Sequence, residues 1–288
     1  FGLSEEPIKD FPSSISFCGC FPHISSYTVG NETFLTQSYY EKFSHVKLSN
    51  DESVISIEMN PHYAYAITIK NSLYVSNDEG GWTHVKDVEN VTRVRTSNLC
   101  AIAPTEDLTL NKDNAIFAIC YSGTKIRVYL SYSSNYYKDI DLSKDAKKIF
   151  DFQLNSYLLF AIFEPKNNSD KQIGTVLFDL KQDNSSSTKY EEMVKEPKLQ
   201  TSPSGGFFIY GDSILYTSDL FMMKKLSLPE MNENEQIINL ISNEDNFAFV
   251  TNCSRIFYGD MNNLSIINLW SPSKSASLNI FFEKDRQN

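Results

Sequence analysis

Apolar residues in this chain gather in short runs that come in pairs, each pair split by a polar turn. The clearest pair is Tyr63-Ala64-Tyr65-Ala66-Ile67-Thr68-Ile69, the turn Lys70-Asn71-Ser72, and Leu73-Tyr74-Val75-Ser76. Others run from Ala115 to Cys120 and Ile126 to Ser131, from Gly206 to Tyr210 and Ile214 to Thr217, and from Asn246 to Val250 and Ile256 to Gly259. Two weaker copies are Ser26 to Val29 with Thr33 to Thr36, around a Gly30-Asn31 turn, and Leu158 to Phe163 with Thr175 to Phe178, split by a long polar insertion. Runs of this length rich in Val, Ile, Tyr and Phe, bounded by Gly, Asn and Ser, predict strands joined as hairpins. Helical periodicity is weak throughout, and segments such as Lys189 to Val194 are short and loop-like.

The second strands are centred on Leu35, Tyr74, Tyr129, Phe178, Tyr216 and Tyr258, at steps of 39, 55, 49, 38 and 42 residues. A period near forty, with two longer steps where polar insertions are visible, is the spacing of propeller blades. A β-sandwich places strands every ~8–12 residues without such a higher period. The small–large alternation of Tyr-Ala-Tyr-Ala suits a strand covered by a neighbouring blade on each face. A further run, Leu278 to Phe282, stops at a charged end as though its partner were missing. The expected fold is therefore all-β: one β-propeller domain over 1–288, seven-bladed with an incomplete or atypical terminal blade.

Composition narrows the function. Aromatic residues make up 13% of the chain, mostly Phe and Tyr, which favours packed strands. A net charge of −10 and the lack of a basic stripe argue against nucleic acid. No apolar run reaches the ~20 residues of a membrane-spanning helix, so membrane contact is expected only through a segment outside this chain. The chain starts at Phe1 with no signal-like segment, which suits a mature or excised piece.

A search for chemistry finds no nucleophile elbow, phosphate loop or His-Glu-x-x-His motif. His23, His45, His62 and His84 are scattered singly. Asp139 and Asp141 share a strand face, a pattern that suits calcium or acid chemistry but more often marks a solvated acidic edge. A sialidase propeller needs convergent arginines, and Arg93, Arg95, Arg127, Arg255 and Arg286 are too few and too dispersed. Ser76 to Trp82 is similar to an Asp-box turn one residue short, a structural motif. No catalytic residue, metal or cofactor is expected, and loops and exposed aromatics are left to bind other proteins.

Two features speak to compartment. Asn31, Asn90, Asn167, Asn184, Asn252 and Asn263 each begin an Asn-x-Ser/Thr acceptor, a count little above chance. Asn31 lies in a tight turn and Asn167 and Asn184 in polar loops, where a glycan fits. Of the five cysteines, Cys100 and Cys120 fall where neighbouring strands bring them within disulfide reach, or else remain buried thiols. Cys18 and Cys20 have Cys253, or a partner outside the chain, as candidate partners.

From Tyr27-Thr28-Val29 and Thr33-Phe34-Leu35-Thr36, through Tyr74-Val75-Ser76 and Trp82, to Cys100, Cys120 and Tyr129-Leu130-Ser131-Tyr132, the chain resembles the N-terminal propeller of the CatSper auxiliary subunits, the delta type above all. A second likeness runs from Phe247-Ala248-Phe249-Val250 through Ile256-Phe257-Tyr258-Gly259 and Leu269-Trp270-Ser271 to Ile280-Phe281-Phe282-Glu283. The resemblance implies an extracellular propeller of a single-pass subunit, packed with sister propellers above a calcium channel of the sperm flagellum. It implies that Cys100 pairs with Cys120 and that outer-loop acceptors carry sugar, and it brings no catalytic residues. The rival readings are a secreted or receptor propeller of the sortilin or adhesion kind, and an intracellular scaffold propeller with free thiols and no sugar.

Overall fold

In the computed structural model, the described residues are 14–17, 25–29, 32–36, 44–48, 52–59, 63–76, 81–96, 117–129, 137–155, 158–167, 172–180, 184–185, 189–202, 206–217, 222–242, 246–262 and 265–271. They form six antiparallel sheets and no helix. The first sheet is β1 (Ser14–Phe17), β2 (Ser25–Val29), β3 (Glu32–Thr36) and β4 (Ser44–His45). The second is β5 (Val54–Met59), β6 (Ala64–Thr68), β7 (Leu73–Ser76) and β8 (Trp82–His84). The third is β9 (Val91–Thr96), β10 (Phe117–Tyr121), β11 (Lys125–Tyr129) and β12 (Tyr137–Asp141). The fourth is β13 (Ala146–Asn155), β14 (Leu158–Pro165), β15 (Gln172–Asp179) and β16 (Asn184–Ser185), with β17 (Lys189–Glu192) also on β15. The fifth is β18 (Lys198–Thr201), β19 (Phe207–Tyr210), β20 (Ile214–Thr217) and β21 (Lys224–Lys225). The sixth is β22 (Ile237–Ser242), β23 (Asn246–Thr251), β24 (Ile256–Asp260) and β25 (Ile266–Trp270). In each sheet, strands follow one another in chain order as a meander.

All six expected hairpins are present, and each is the middle pair of its sheet. Middle strands carry unbroken apolar runs because both of their faces are covered. In β6, Tyr65 and Ile67 enter one core with Val91, Val94 and Phe117 of the third sheet. Ala64 and Ala66 point the other way, into a core with Leu35, Val46 and Leu48 beside the first sheet. The Tyr-Ala alternation is thus a large face and a small face between two neighbouring sheets. β19 repeats the device: Phe207 and Ile209 join Phe160 and Ile162, while Phe208 and Tyr210 join Phe247 and Phe249.

Ring contacts bridge neighbouring sheets at Tyr65–Phe117 (4.4 Å), Phe160–Phe207 (4.5 Å) and Phe208–Phe247 (5.3 Å). Each such pair adds about 0.5–1.5 kcal/mol beyond the area it buries. First strands of successive sheets are also tied. Thr96 Oγ1 donates to the Met59 carbonyl (3.1 Å), Leu199 N–H to the buried Asp151 carboxylate (3.0 Å), and Ser242 Oγ to the Thr201 carbonyl (3.2 Å).

The chain divides into two compact units, one within Phe1–Thr96, Asp107–Ser122 and Tyr129–Tyr137, the other within Ser97–Glu106, Gly123–Val128 and Lys138–Asn288. The first holds the first two sheets with β9 and β10; the second holds the last three sheets with most of β11 and β12. The strand expected at Leu278 to Phe282 lies outside the described residues. Two expectations change. The polar stretch after Phe163 is shorter than expected, because β14 runs on to Pro165 and β15 starts at Gln172, with Glu164 in register with Lys148 and ion-paired to Lys147; residues 168–171 lie outside the described residues. The loop expected at Lys189 becomes β17, whose backbone pairs with Gln172 to Thr175.

Candidate functional site

Each meander has one end where the turn between its second and third strands lies and its first strand begins. Three hydrogen bonds recur there between successive sheets. Val91 N–H donates to the Asn71 carbonyl (2.9 Å), Ile149 N–H to Gly123 (2.8 Å) and Ile237 N–H to Gly211 (2.8 Å). The accepting turns are built for this approach. Asn71 and Gly123 have positive φ (60° and 76°), and a Cβ on Gly211 would sit 2.1 Å from the Lys195 carbonyl.

One residue past that bond in three sheets, and after Val54 in the second, the first strand carries a bulge. The extra residues are Ile55, Thr92, Phe150 and Ile238, each skipped by the register of the strand opposite. A bulge re-aims the side chain it carries. Ile55 and Ile238 are accordingly 54% and 40% exposed, Thr92 is exposed, and Phe150 is half-buried beneath the Lys148 ammonium (5.1 Å). Ile69 in the β6–β7 turn is 68% exposed, and its N–H donates to the Ser53 carbonyl at the start of β5.

A carboxylate clamp appears twice at these ends. Thr68, the last residue of β6, donates its hydroxyl to Glu52 (2.6 Å), and Lys70 reaches the same carboxylate (3.3 Å). Thr251, the last residue of β23, donates to Glu235 (2.5 Å), and Arg255 bonds its other oxygen (2.8 Å). In both clamps the Thr oxygen accepts the N–H four residues on, from Ser72 or Arg255. The Thr68 hydroxyl, and then Lys70, hold the Glu52 carboxyl below its ordinary range, against the opposing pull of burial. Both acids are engaged in shaping turns.

Asp139 and Asp141 are likewise engaged. Asp139 takes a two-pronged bond from Arg127 (2.7 and 2.9 Å). Asp141 accepts the Ser143 N–H (2.8 Å) and lies 3.6 Å from Lys125; Ser143 chiefly, with Lys125, lowers its pKa. The pair is an ion-pair ladder across β11 and β12. His45 packs on Phe34 and His84 stacks on Tyr74. Arg93 and Arg95 share β9, with Arg95 near Glu58 (3.9 Å). Among the described residues, no three His, Cys, Asp or Glu side chains are placed to share a metal, and no helix is long and apolar enough to cross a membrane.

The acceptor asparagines separate. Asn90 is exposed with φ 56°, directly before β9, and Asn167 is exposed at the β14–β15 turn. Asn184 begins β16 opposite Asp179. Asn252 accepts the Gln236 N–H (3.0 Å) and donates to the Asn234 carbonyl (3.2 Å). Asn31 and Asn263 lie outside the described residues, as do Cys18, Cys20, Cys100 and most of the Asp-box turn. Cys120 is buried on β10, and Cys253 carries a free thiol in the β23–β24 turn. Sequence reasoning missed the bulge residues. Their signal is an apolar doublet that breaks strand alternation, as in Val54-Ile55, Ile149-Phe150 and Ile237-Ile238.

Further exposed apolar groups lie on outer strands. Ile267 (56%) and Leu269 (57%) sit on β25, the last strand of its sheet, and Tyr137 (44%) on β12.

No protein-family model matches the sequence, and no curated protein matches it. Solved structures do. A YCF48 bound to a D1 peptide aligns over 87% of this chain and 79% of its own, with 11% identity and a TM-score of 0.55. A catalytically inactive virginiamycin B lyase from Staphylococcus aureus, solved with quinupristin, covers 84% and 78% at 9% identity and a TM-score of 0.58. The complex of KlAtg21 with the coiled coil of AgAtg16 covers 96% and 89% at 13% identity and a TM-score of 0.64. At such identities the likeness speaks to architecture alone. With six meanders at blade spacing, it makes this chain a β-propeller.

Proposed function

We propose that this propeller is a non-catalytic protein-interaction module on the extracellular side of the plasma membrane, within an accessory subunit of a sperm calcium-channel complex. The observation that carries the interaction reading is a division of labour among side chains. The described acids with candidate chemistry are held in structural pairs, while large apolar groups stand exposed on the outer strands β12 and β25. Apolar surface displayed on rigid strands is what a protein partner buries. Two of the similar structures were solved with a peptide and with a coiled coil, so this architecture offers surfaces to protein segments. The channel assignment is supported by the resemblance of Tyr27 to Tyr132 and Phe247 to Glu283 to the CatSper auxiliary subunits.

The test is secretion from animal cells, followed by intact mass before and after glycosidase, thiol counting, and co-elution with the extracellular propellers of the sister subunits. Sugar on acceptor sites, fewer than five reactive thiols and a stable complex are expected. A sugar-free chain with all five thiols reactive overturns the extracellular placement, and failure to bind any sister propeller overturns the channel role.

A further inference from the structure

The turn end of the second sheet presents two isoleucines to water, Ile55 (54%) and Ile69 (68%), tied together by the Ile69–Ser53 backbone bond. Adjacent exposed branched side chains ask for a cover. Asn90 precedes the residue tied to this turn: Val91 N–H donates to the Asn71 carbonyl, two residues from Ile69. Its triplet, Asn90-Val91-Thr92, is described in full, and both Asn90 and Thr92 are exposed around the buried Val91. The left-handed backbone of Asn90 is one that asparagine tolerates and that lifts the residue out of the strand.

The other fully described triplet, Asn252-Cys253-Ser254, is the opposite case. Both ends of the Asn252 amide are committed to the backbone, and Ser254 is only 4% exposed. A sugar there would displace bonds that shape the turn.

We infer that Asn90 carries an N-linked glycan which lies over Ile55 and Ile69 and covers the turn end of the second sheet, while Asn252 stays bare. This rests on the extracellular reading above. A glycan is bulky and solubilising, and the covered isoleucines then become sugar-binding surface, not protein-binding surface. Partner docking falls to other faces, such as β25.

The test uses the full chain secreted from animal cells. Glycosidase treatment in heavy-oxygen water followed by peptide mapping is expected to label position 90 and leave position 252 unlabelled. Enzymatic sugar removal from the folded protein is expected to raise the binding of an apolar fluorescent dye severalfold. Ile55→Ser with Ile69→Ser is expected to abolish that rise. Thr92→Ala, which destroys the acceptor without touching Asn90, should reproduce the unglycosylated mass at that site. A bare Asn90 in a chain glycosylated elsewhere overturns this inference and leaves the extracellular reading intact. A chain with no sugar at any acceptor overturns both, and dye binding indifferent to sugar removal overturns the covering role.

Discussion

The carboxylate of Glu235 has no exposed side-chain surface, yet it holds three partners: Thr251, Arg255 and the Asn232 N–H (2.8 Å). Glu52 occupies the same place in its own sheet, but its cation, Lys70, is 68% exposed. The two clamps therefore differ in what the cation is worth. Removing Arg255 strands a buried charge, and Arg255→Ala is expected to cost about 3–5 kcal/mol in urea unfolding. Part of that loss is the packing of its guanidinium over Phe257 (4.7 Å). Lys70→Ala removes a cation that is itself solvated and leaves the Glu52 carboxylate, 7% exposed, held by Thr68, and should cost only about 1 kcal/mol. Equal losses at the two sites would refute this account.

Acid should act on the Glu52 clamp. Its folded pKa lies below the ordinary value of 4.5, chiefly through the Thr68 hydroxyl, so its stabilisation is present above that value. It is lost as pH falls through the lowered folded value. Asp141 follows the same sign from its ordinary 3.8, with Ser143 as the main cause. Thr68→Val is expected to flatten the acid limb of the urea midpoint, and an unchanged limb would show that Glu52 contributes nothing to it.

At the scale of the element, two glycines explain strands that would otherwise be crowded. Gly174 on β15 lies opposite Phe163, and Gly259 on β24 opposite Phe247. A Cβ at either would come within 2.3 Å or 2.1 Å of the opposing ring. Both rings are wholly buried and have no room to withdraw. Gly259→Ala is expected to cost about 1–3 kcal/mol by overpacking, and Phe247→Leu in the same chain to recover part of it. Gly81, with nothing near its Cβ position, is the control that should tolerate alanine.

Middle hairpins were legible in the sequence because burial on both faces writes long apolar runs, as in Phe207-Phe208-Ile209-Tyr210. Outer strands such as β4, β16 and β21 are only two residues long, and β21 is Lys-Lys with both side chains exposed. Such strands are defined by backbone pairing alone, which leaves no compositional trace. First strands were hidden for another reason: their bulges break the alternation that marks a half-buried strand.

For the whole molecule, the forty-residue period carries the architecture, because one supersecondary unit is repeated with its punctuation. The surface was much less legible. Ile69 reads in sequence as the end of a strand, and Ile55 and Ile238 stand out only through the bulges that turn them outward. Asp139 and Asp141 read in sequence more as an acidic strand edge than as a chemical pair, and Arg127 and Lys125 across the ladder engage them.

The bonds from Val91 to Asn71, Ile149 to Gly123 and Ile237 to Gly211 have a consequence for how such a chain tolerates change. Each ties the opening of one repeat to the hairpin tip of the repeat before it, so a repeat excised by recombination leaves a donor and an acceptor orphaned at the cut. The tie also restricts the tip residue itself, because Asn71 and Gly123 take positive φ and Gly211 leaves no room for a Cβ. Asn, Gly and Gly fill that position, and the same backbone handshake holds neighbouring repeats in step at all three.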